Sequence, residues 1–239
     1  MIKKIVHFSD THKRHDTVKL PDCDICIFTG DATARGGVND TIEFLRWYKK
    51  QYQCTHKVFI PGNHDLGFDF KFNLETGAEF WMPDIVKEFF DEADYRNIIY
   101  IQNEMKVVDD IQIWGSPVTP DFHPQYWAFN KPRGDEIMKV WEHIPMAPHI
   151  VATHGPVHGI GDFVTGSGGH QGCEDLKAAI ETIRPLIHLC GHIHEGYGVV
   201  EKDGIWYSNG SICDDRYRPN NLPIEFSIDT EKNEIIYGT

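Results

Sequence analysis

The sequence predicts an α/β fold carrying either one mixed sheet or two sheets packed together. Three observations predict it. Helical and strand patterns alternate at both ends of the 239-residue chain, its middle is rich in strands, and no repeat, low-complexity tract or Pro/Ser linker interrupts it. Continuity and length give one domain over residues 1–239. A chain of this size buries roughly 70% of its unfolded surface, so it needs no disulfide or metal staple.

Each element has a local reason. Residues 2–8, 24–29 and 57–60 are apolar runs of strand length. Residues 41–49 place Ile42, Phe44, Leu45 and Tyr48 at helical spacing, and residues 84–90 follow Pro83, a helix-start signal. Residues 98–101, 105–108 and 111–114 read as three short strands with no helix between them, and residues 135–142 as a helix. After a strand at 149–152, a glycine-rich loop fills 155–172. A helix at 173–183 and a strand at 186–189 follow. Residues 199–201 and 205–207 flank Lys202-Asp203-Gly204, a hairpin signal, because Asp-Gly supports positive φ. Residues 223–237 supply the last strands.

Composition excludes several classes. Hydrophobic residues at 41% and charged residues at 25% exclude disorder and collagen-like repeats. Lys and Arg number 23 against 36 Asp and Glu, a net charge of −13, which makes a poor non-specific ligand for nucleic acid or an anionic membrane. The apolar run at the N-terminus stops at Ser9-Asp10, too short for a signal peptide, and no stretch approaches a membrane span; a cytoplasmic protein is expected. Cys23-Asp24-Ile25-Cys26 has C-x-x-C spacing but no second such pair, and Cys26 sits in an apolar run. Core thiols in a reducing compartment are expected.

The strongest strands share an ending. They run into Ser9-Asp10-Thr11-His12, Gly30-Asp31, Gly62-Asn63-His64-Asp65, Thr153-His154-Gly155-Pro156 and Gly191-His192-Ile193-His194. Groups just beyond the carboxyl ends of strands in an α/β sheet converge on one crevice. Three Asp, one Asn and five His therefore meet there without a thiolate. Such donors suit mid-row divalent ions such as Mn, Fe or Zn. Their number exceeds what one ion takes and fits two that share a carboxylate. Gly30, Gly62, Gly155 and Gly191 are expected to let the chain turn sharply at the site. The other nine of the 14 His are expected at the surface or satisfied in the core.

These motifs, in this order, make the chain similar to the calcineurin-like metallophosphoesterases, whose pattern is D-x-H, G-D, G-N-H-[DE], H-G and G-H-x-H. The resemblance spans about residues 5–210. Within that superfamily the chain resembles the MPPED-like branch and the class III cyclic nucleotide phosphodiesterases. The segments that carry this are Trp114-Gly115-Ser116-Pro117, Trp127-Ala128-Phe129-Asn130 with Arg133-Gly134, Gly159-Ile160-Gly161-Asp162 and His194-Glu195-Gly196-Tyr197-Gly198. Val157 departs from the pattern where a second Pro is common. The fold implied is a four-layer α/β/β/α sandwich with two mixed sheets. Asp10, His12 and His194 would hold a first metal and Asn63, His154 and His192 a second, with Asp31 bridging. His64 would lie near the leaving group with Asp65 behind it as an orienting partner; Arg133 is a candidate phosphate contact, and Asn130, Phe129 and His158 are candidate contacts to a base or ribose.

The implied reaction is hydrolysis of a small phosphodiester, a cyclic nucleotide among the candidates, by a hydroxide shared between two divalent ions. Mn is the ion expected to support it in vitro. A homodimer is implied by the same resemblance; a membrane is not. A nuclease of the same fold is disfavoured by the acidic charge and the lack of a basic groove. A phosphomonoesterase or protein phosphatase is disfavoured because the motifs carry no Arg. A non-catalytic scaffold is disfavoured because no ligand position is lost.

Overall fold

A computed structural model describes residues 1–77, 82–91, 98–123 and 125–238. Two six-stranded mixed sheets pack face to face. In the first, β1 (Ile2–Phe8), β2 (Cys23–Phe28), β3 (Cys54–Phe59) and β4 (Ile98–Tyr100) run parallel, and the late strands β15 (Ile224–Asp229) and β16 (Glu234–Ile236) extend it antiparallel beside β1. The second has the order β13 (Gly198–Lys202), β14 (Ile205–Asn209), β12 (Ile187–Cys190), β9 (Ile150–Thr153), β6 (Ile111–Ser116), β5 (Glu104–Val108), with antiparallel pairs only at its edges.

Alternation along each strand sorts the core into three slabs. Ile5, Ile25, Ile27, Val58 and Ile60 point inward to meet Ile113, Ile150, Ala152, Ile187 and Leu189 of the second sheet. Their neighbours Val6, Phe8, Cys26, Phe28 and Phe59 point outward beneath α1 (Val38–Lys49). On the far side, Trp114, Val151, Ile205 and Tyr207 are covered by α4 (Asp135–Trp141) and α5 (Glu174–Ile183). This is the expected α/β/β/α sandwich. The central strands are buried on both faces, which is why they read as continuous apolar runs.

Several local expectations change. The helix expected over 84–90 is a four-residue turn, α3 (Met82–Ile85), followed by a 3-10 turn at Lys87–Phe89. Val86 between them leaves the α region at φ −105° and ψ 12°, and Val86 and Phe89 join the core. A helix the periodicity did not reveal, α2 (Phe70–Thr76), has a capping signal at each end. Asp69 accepts from the backbone N–H of Lys71 and Phe72, and Gly77 closes it at φ 72°. The glycine-rich loop contains a short hairpin, β10 (Phe163–Val164) with β11 (Gly169–His170). Residues 119–131 add a two-residue parallel pair, β7 (Thr119–Pro120) with β8 (Asn130–Lys131). Cys173 is the N-cap of α5, accepting from Leu176 N–H, and not its first turn. All six cysteines are free and buried. Among the described residues no helix is long and apolar enough to cross a membrane.

Phe44 of α1 is fully buried between Phe28, 4.6 Å away ring to ring, and Phe59, 5.9 Å away. Phe44→Ala is expected to destabilise the fold by about 3–5 kcal/mol, read by urea unfolding.

Candidate metal centre

The five polar clusters do converge beyond the carboxyl ends of β1, β2, β3, β9 and β12. Three donor groups form there: Asp10 with His12 and His194; His12 with Asp31 and His64; Asp31 with His154 and His192. Within each group the donor atoms all lie within 4.8 Å of one another. Asp31 faces both ways. Its Oδ1 lies 3.4 Å from His154 Nε2, and its Oδ2 lies 3.7 Å from His12 Nε2. Asp10 Oδ1 is 3.4 Å from His194 Nε2 and 3.9 Å from His12 Nε2. Asn63 Oδ1 is 2.8 Å from His154 Nε2. All seven residues proposed from sequence as ligands thus reach one centre.

The ring nitrogens show what the centre fits. Nδ1 of His12, His64, His154 and His194 meets the backbone carbonyls of Thr33 (3.2 Å), Ala34 (2.6 Å), Thr29 (2.8 Å) and Asp214 (2.9 Å) respectively. A carbonyl cannot donate, so each Nδ1 carries a proton, and Nε2 turns inward, where it offers a lone pair or takes up a second proton. His12 Nε2 and His194 Nε2 lie 3.2 Å apart, and His154 Nε2 faces two oxygens. Lone pairs so placed need a shared proton or a cation between them. Outer hydrogen bonds to fixed carbonyls are the usual support of metal-binding imidazoles, so the donor set fits divalent ions.

Charge points the same way. Burial lowers His154 and His194, but Asp31 for the first and Asp10 for the second overcome it and hold both up to about 9. At His12 and His192 burial prevails and holds them near about 4 and about 3. Burial opposes ionisation of Asp31 too, yet the imidazoles of His154, His64 and His12 keep it well below the usual carboxylate range. The two carboxylates draw positive charge into the crevice.

The backbone is bent to hold these groups. Asp10, His12, Asp31 and His192 adopt φ of 51°, 39°, 62° and 68°, a region non-glycine residues seldom enter. Of the four glycines expected to turn the chain, only Gly30 needs a positive φ, at 106°. Gly62 and Gly191 are required for room: a Cβ on Gly62 would strike Asp31 Oδ1, and one on Gly191 would strike Asp10 Oδ2. Gly155 only backs onto Thr119.

Asp65 does not sit behind His64 as expected. Its carboxylate accepts from four backbone N–H groups: Gly62 (2.9 Å), Asp31 (2.9 Å), Ala32 (3.3 Å) and Thr33 (3.1 Å). It therefore clamps the loop after β2 to the loop after β3. Burial, then the charge of Asp31, raise it to about 6 against the pull of those N–H groups. His64 is oriented instead by Ala34 O and by Trp127, on which it stacks at 3.9 Å. Trp127 was visible in sequence only as part of a resembling segment.

Other supports carried no sequence signal. Ser211 and Ser9 both donate to Asp10 Oδ2, and the Tyr217 ring packs 4.8 Å from His12 and 5.2 Å from His194. Asn130 is used within its own loop, donating to the Trp127 and Ala128 carbonyls and accepting from Phe122 N–H. Arg133 donates to the Gln171 and Gly172 carbonyls. Arg133 also lines a cleft of about 430 Å³, with Phe122, His123, Pro156 and Val164, that reaches His192.

A two-sheet sandwich with an Asp, His and Asn donor set at its strand ends defines a metallophosphoesterase, a phosphoester hydrolase whose family uses divalent metals. The chain belongs to the calcineurin-like phosphoesterase family, whose profile matches residues 3–196. Metallophosphoesterase domain-containing protein 1 of Homo sapiens is 34% identical over 240 residues, covering 96% of this chain and 72% of the human protein. A UPF0046 protein of Caenorhabditis elegans is 30% identical over 230 residues, covering 94% of this chain and 75% of its own length. Among solved structures, TT1561 of Thermus thermophilus matches at TM-score 0.59 and 13% identity, over 100% of this chain and 99% of that one. The phosphopantetheinyl hydrolase PptH of Mycobacterium tuberculosis matches at 0.55 and 14%, over 90% of each. Both share the fold.

Asp65→Ala would leave four buried backbone donors unpaired and free the Asp31 loop. Metal affinity is expected to fall about 10–100-fold, measured by equilibrium dialysis with metal analysis, while circular dichroism still reports a folded protein.

Proposed function

We propose that the protein is a dinuclear-metal phosphodiesterase acting on small diesters, cyclic nucleotides among them. The observation that carries this is the orientation of Asp31, whose two oxygens face separate groups of nitrogen donors. In this reading Asp10, His12 and His194 hold one ion, Asn63, His154 and His192 the other, and Asp31 both. Two such ions supply Lewis acidity toward the phosphoryl oxygens and lower the pKa of water, so that a nucleophile exists at neutral pH.

The chain's own residues do the rest. His64 presents Nε2 to the centre, 3.9 Å from Asp31 Oδ2, while Ala34 O and the Trp127 face fix its ring. Protonated, it carries an N–H at Nε2 aimed where an alkoxide would depart, and donating that proton is worth roughly 10²–10⁴-fold. The cleft beside His192 supplies the substrate's other half. The Phe122 ring, 5.1 Å from His192, offers a flat apolar face suited to a base. A diester is favoured over a monoester because a dianion wants a cationic clamp, and Arg133 already donates to two loop carbonyls. The preference for cyclic nucleotides rests on the family branch that the chain resembles.

The test is a screen of 2′,3′- and 3′,5′-cyclic nucleotides, linear dinucleotides and monoesters with Mn²⁺ added. Diester turnover is expected, and turnover of monoesters alone would overturn the reading. Asp31→Ala should abolish turnover and metal retention together. His64→Ala should keep the metals and slow alkyl diesters by about 10²–10⁴-fold, but slow bis-p-nitrophenyl phosphate far less, since that leaving group needs no proton. Equal losses on both substrates would remove His64 from the proton-donor role.

A further inference from the structure

The amino-terminal ends of β2 and β3 hold a second donor cluster. It lies at the opposite end of the first sheet from the Asp31 centre, a strand length of roughly 15–20 Å away. Cys23 and Cys54 open the two strands and face each other in register, and Cys26 pairs with Lys57 further along the same two strands. The three Sγ atoms lie within 4.8 Å of one another. Three sulfurs bound to one ion at about 2.3 Å stand about 3.8–4.0 Å apart, so the group needs little movement to close on a cation. All three are free, and they are 7%, 0% and 1% exposed.

Lys57 is the second observation. It is 2% exposed, its Nζ donates to the Cys54 carbonyl at 3.0 Å, and among the described residues it pairs with no carboxylate. A buried ammonium without a counter-charge is unfavourable. The groups near it that would carry negative charge once deprotonated are the three thiols, with Lys49 as the opposing cation.

We propose that Cys23, Cys26 and Cys54 form a binding site for a thiophilic divalent cation of the zinc and cadmium class, with Lys57 as its counter-charge. On binding, three thiols release three protons and form three metal–sulfur bonds. The resulting set carries one net negative charge, which the Lys57 ammonium cancels. Soft thiolates select such ions over the Mn that suits an N/O centre. The Pro21 carbonyl, 3.9 Å from Cys54 Sγ, is an oxygen at the edge of the group.

The test is a Cd²⁺ titration of the whole reduced protein, with its N/O centre first loaded with Mn²⁺. It is read by sulfur-to-cadmium charge-transfer absorption and by thiol counting. Nitrogen and oxygen ligands give no such band, so the readout is separate from the Asp31 centre and from any diesterase activity. One equivalent of Cd²⁺ is expected to produce the band and protect three of the six thiols, and Zn²⁺ to displace it. Cys54→Ser should remove the band while leaving Mn²⁺ retention unchanged, and Lys57→Met should weaken Cd²⁺ binding about tenfold. Absence of the band in the wild-type protein would overturn the proposal. So would its survival in Cys23→Ala/Cys54→Ala, or loss of two thiols to a disulfide before metal is added. The wild-type titration decides even if a variant fails to fold.

Discussion

The structure depends on holding the Asp31 carboxylate still between two sets of imidazoles. Like charge from Asp10 and burial both oppose an ionised Asp31, so it must be fixed by neighbours that cannot drift. Asp65 fixes it from the backbone side, and the His64 N–H fixes Oδ1 directly at 2.8 Å. Both contacts come from the loop after β3, which explains why Gly62 must have no side chain. Removing any one of these constraints loosens the same carboxylate.

The rest of the fold supplies the platform. Parallel neighbours in each sheet put their carboxyl ends level, so short loops deliver polar groups to one place. The aliphatic slab between the sheets sets how far apart the two halves of the centre lie. Asp10 and Asp31 leave the first sheet; His154, His192 and His194 leave the second. Four donor residues with left-handed backbone carry strain of order 1–3 kcal/mol each. Ser9, Ser211 and the His192 N–H around Asp10 help to hold it.

The strands and the donor set were legible because both are local: an apolar run ending in Gly and a ligand is a pattern within ten residues or so. What was not legible is relational. Asp65 follows His64 in sequence, and adjacency suggested a pair, yet its carboxylate turns toward the backbone of residues 31–33. Trp127 and Tyr217 sit in irregular loops, where no periodicity tells which ring they will meet. Cys54 has no C-x-x-C spacing of its own; only the register of β2 against β3 brings it to Cys23. Asn130 and Arg133 were read by chemistry, and their partners turned out to be loop carbonyls. The capping residues of α2 were readable, but its three-and-a-half periodicity is masked by exposed Phe70 and Leu74.

The placement of β1 has a consequence for synthesis on the ribosome. Ile5 is flanked by Ile25 on one side and Phe226 on the other. The strand that delivers the first donor emerges well before its antiparallel neighbour, and the Ser211 hydroxyl lies 201 residues after Asp10. A nascent chain therefore carries Asp10 on an unfinished sheet edge until β15 has emerged. Closing so long a loop is entropically slow. Until residues 192–211 have emerged, the crevice lacks His192, His194 and the Ser211 hydroxyl, so a partly made chain presents an incomplete donor set to any ion.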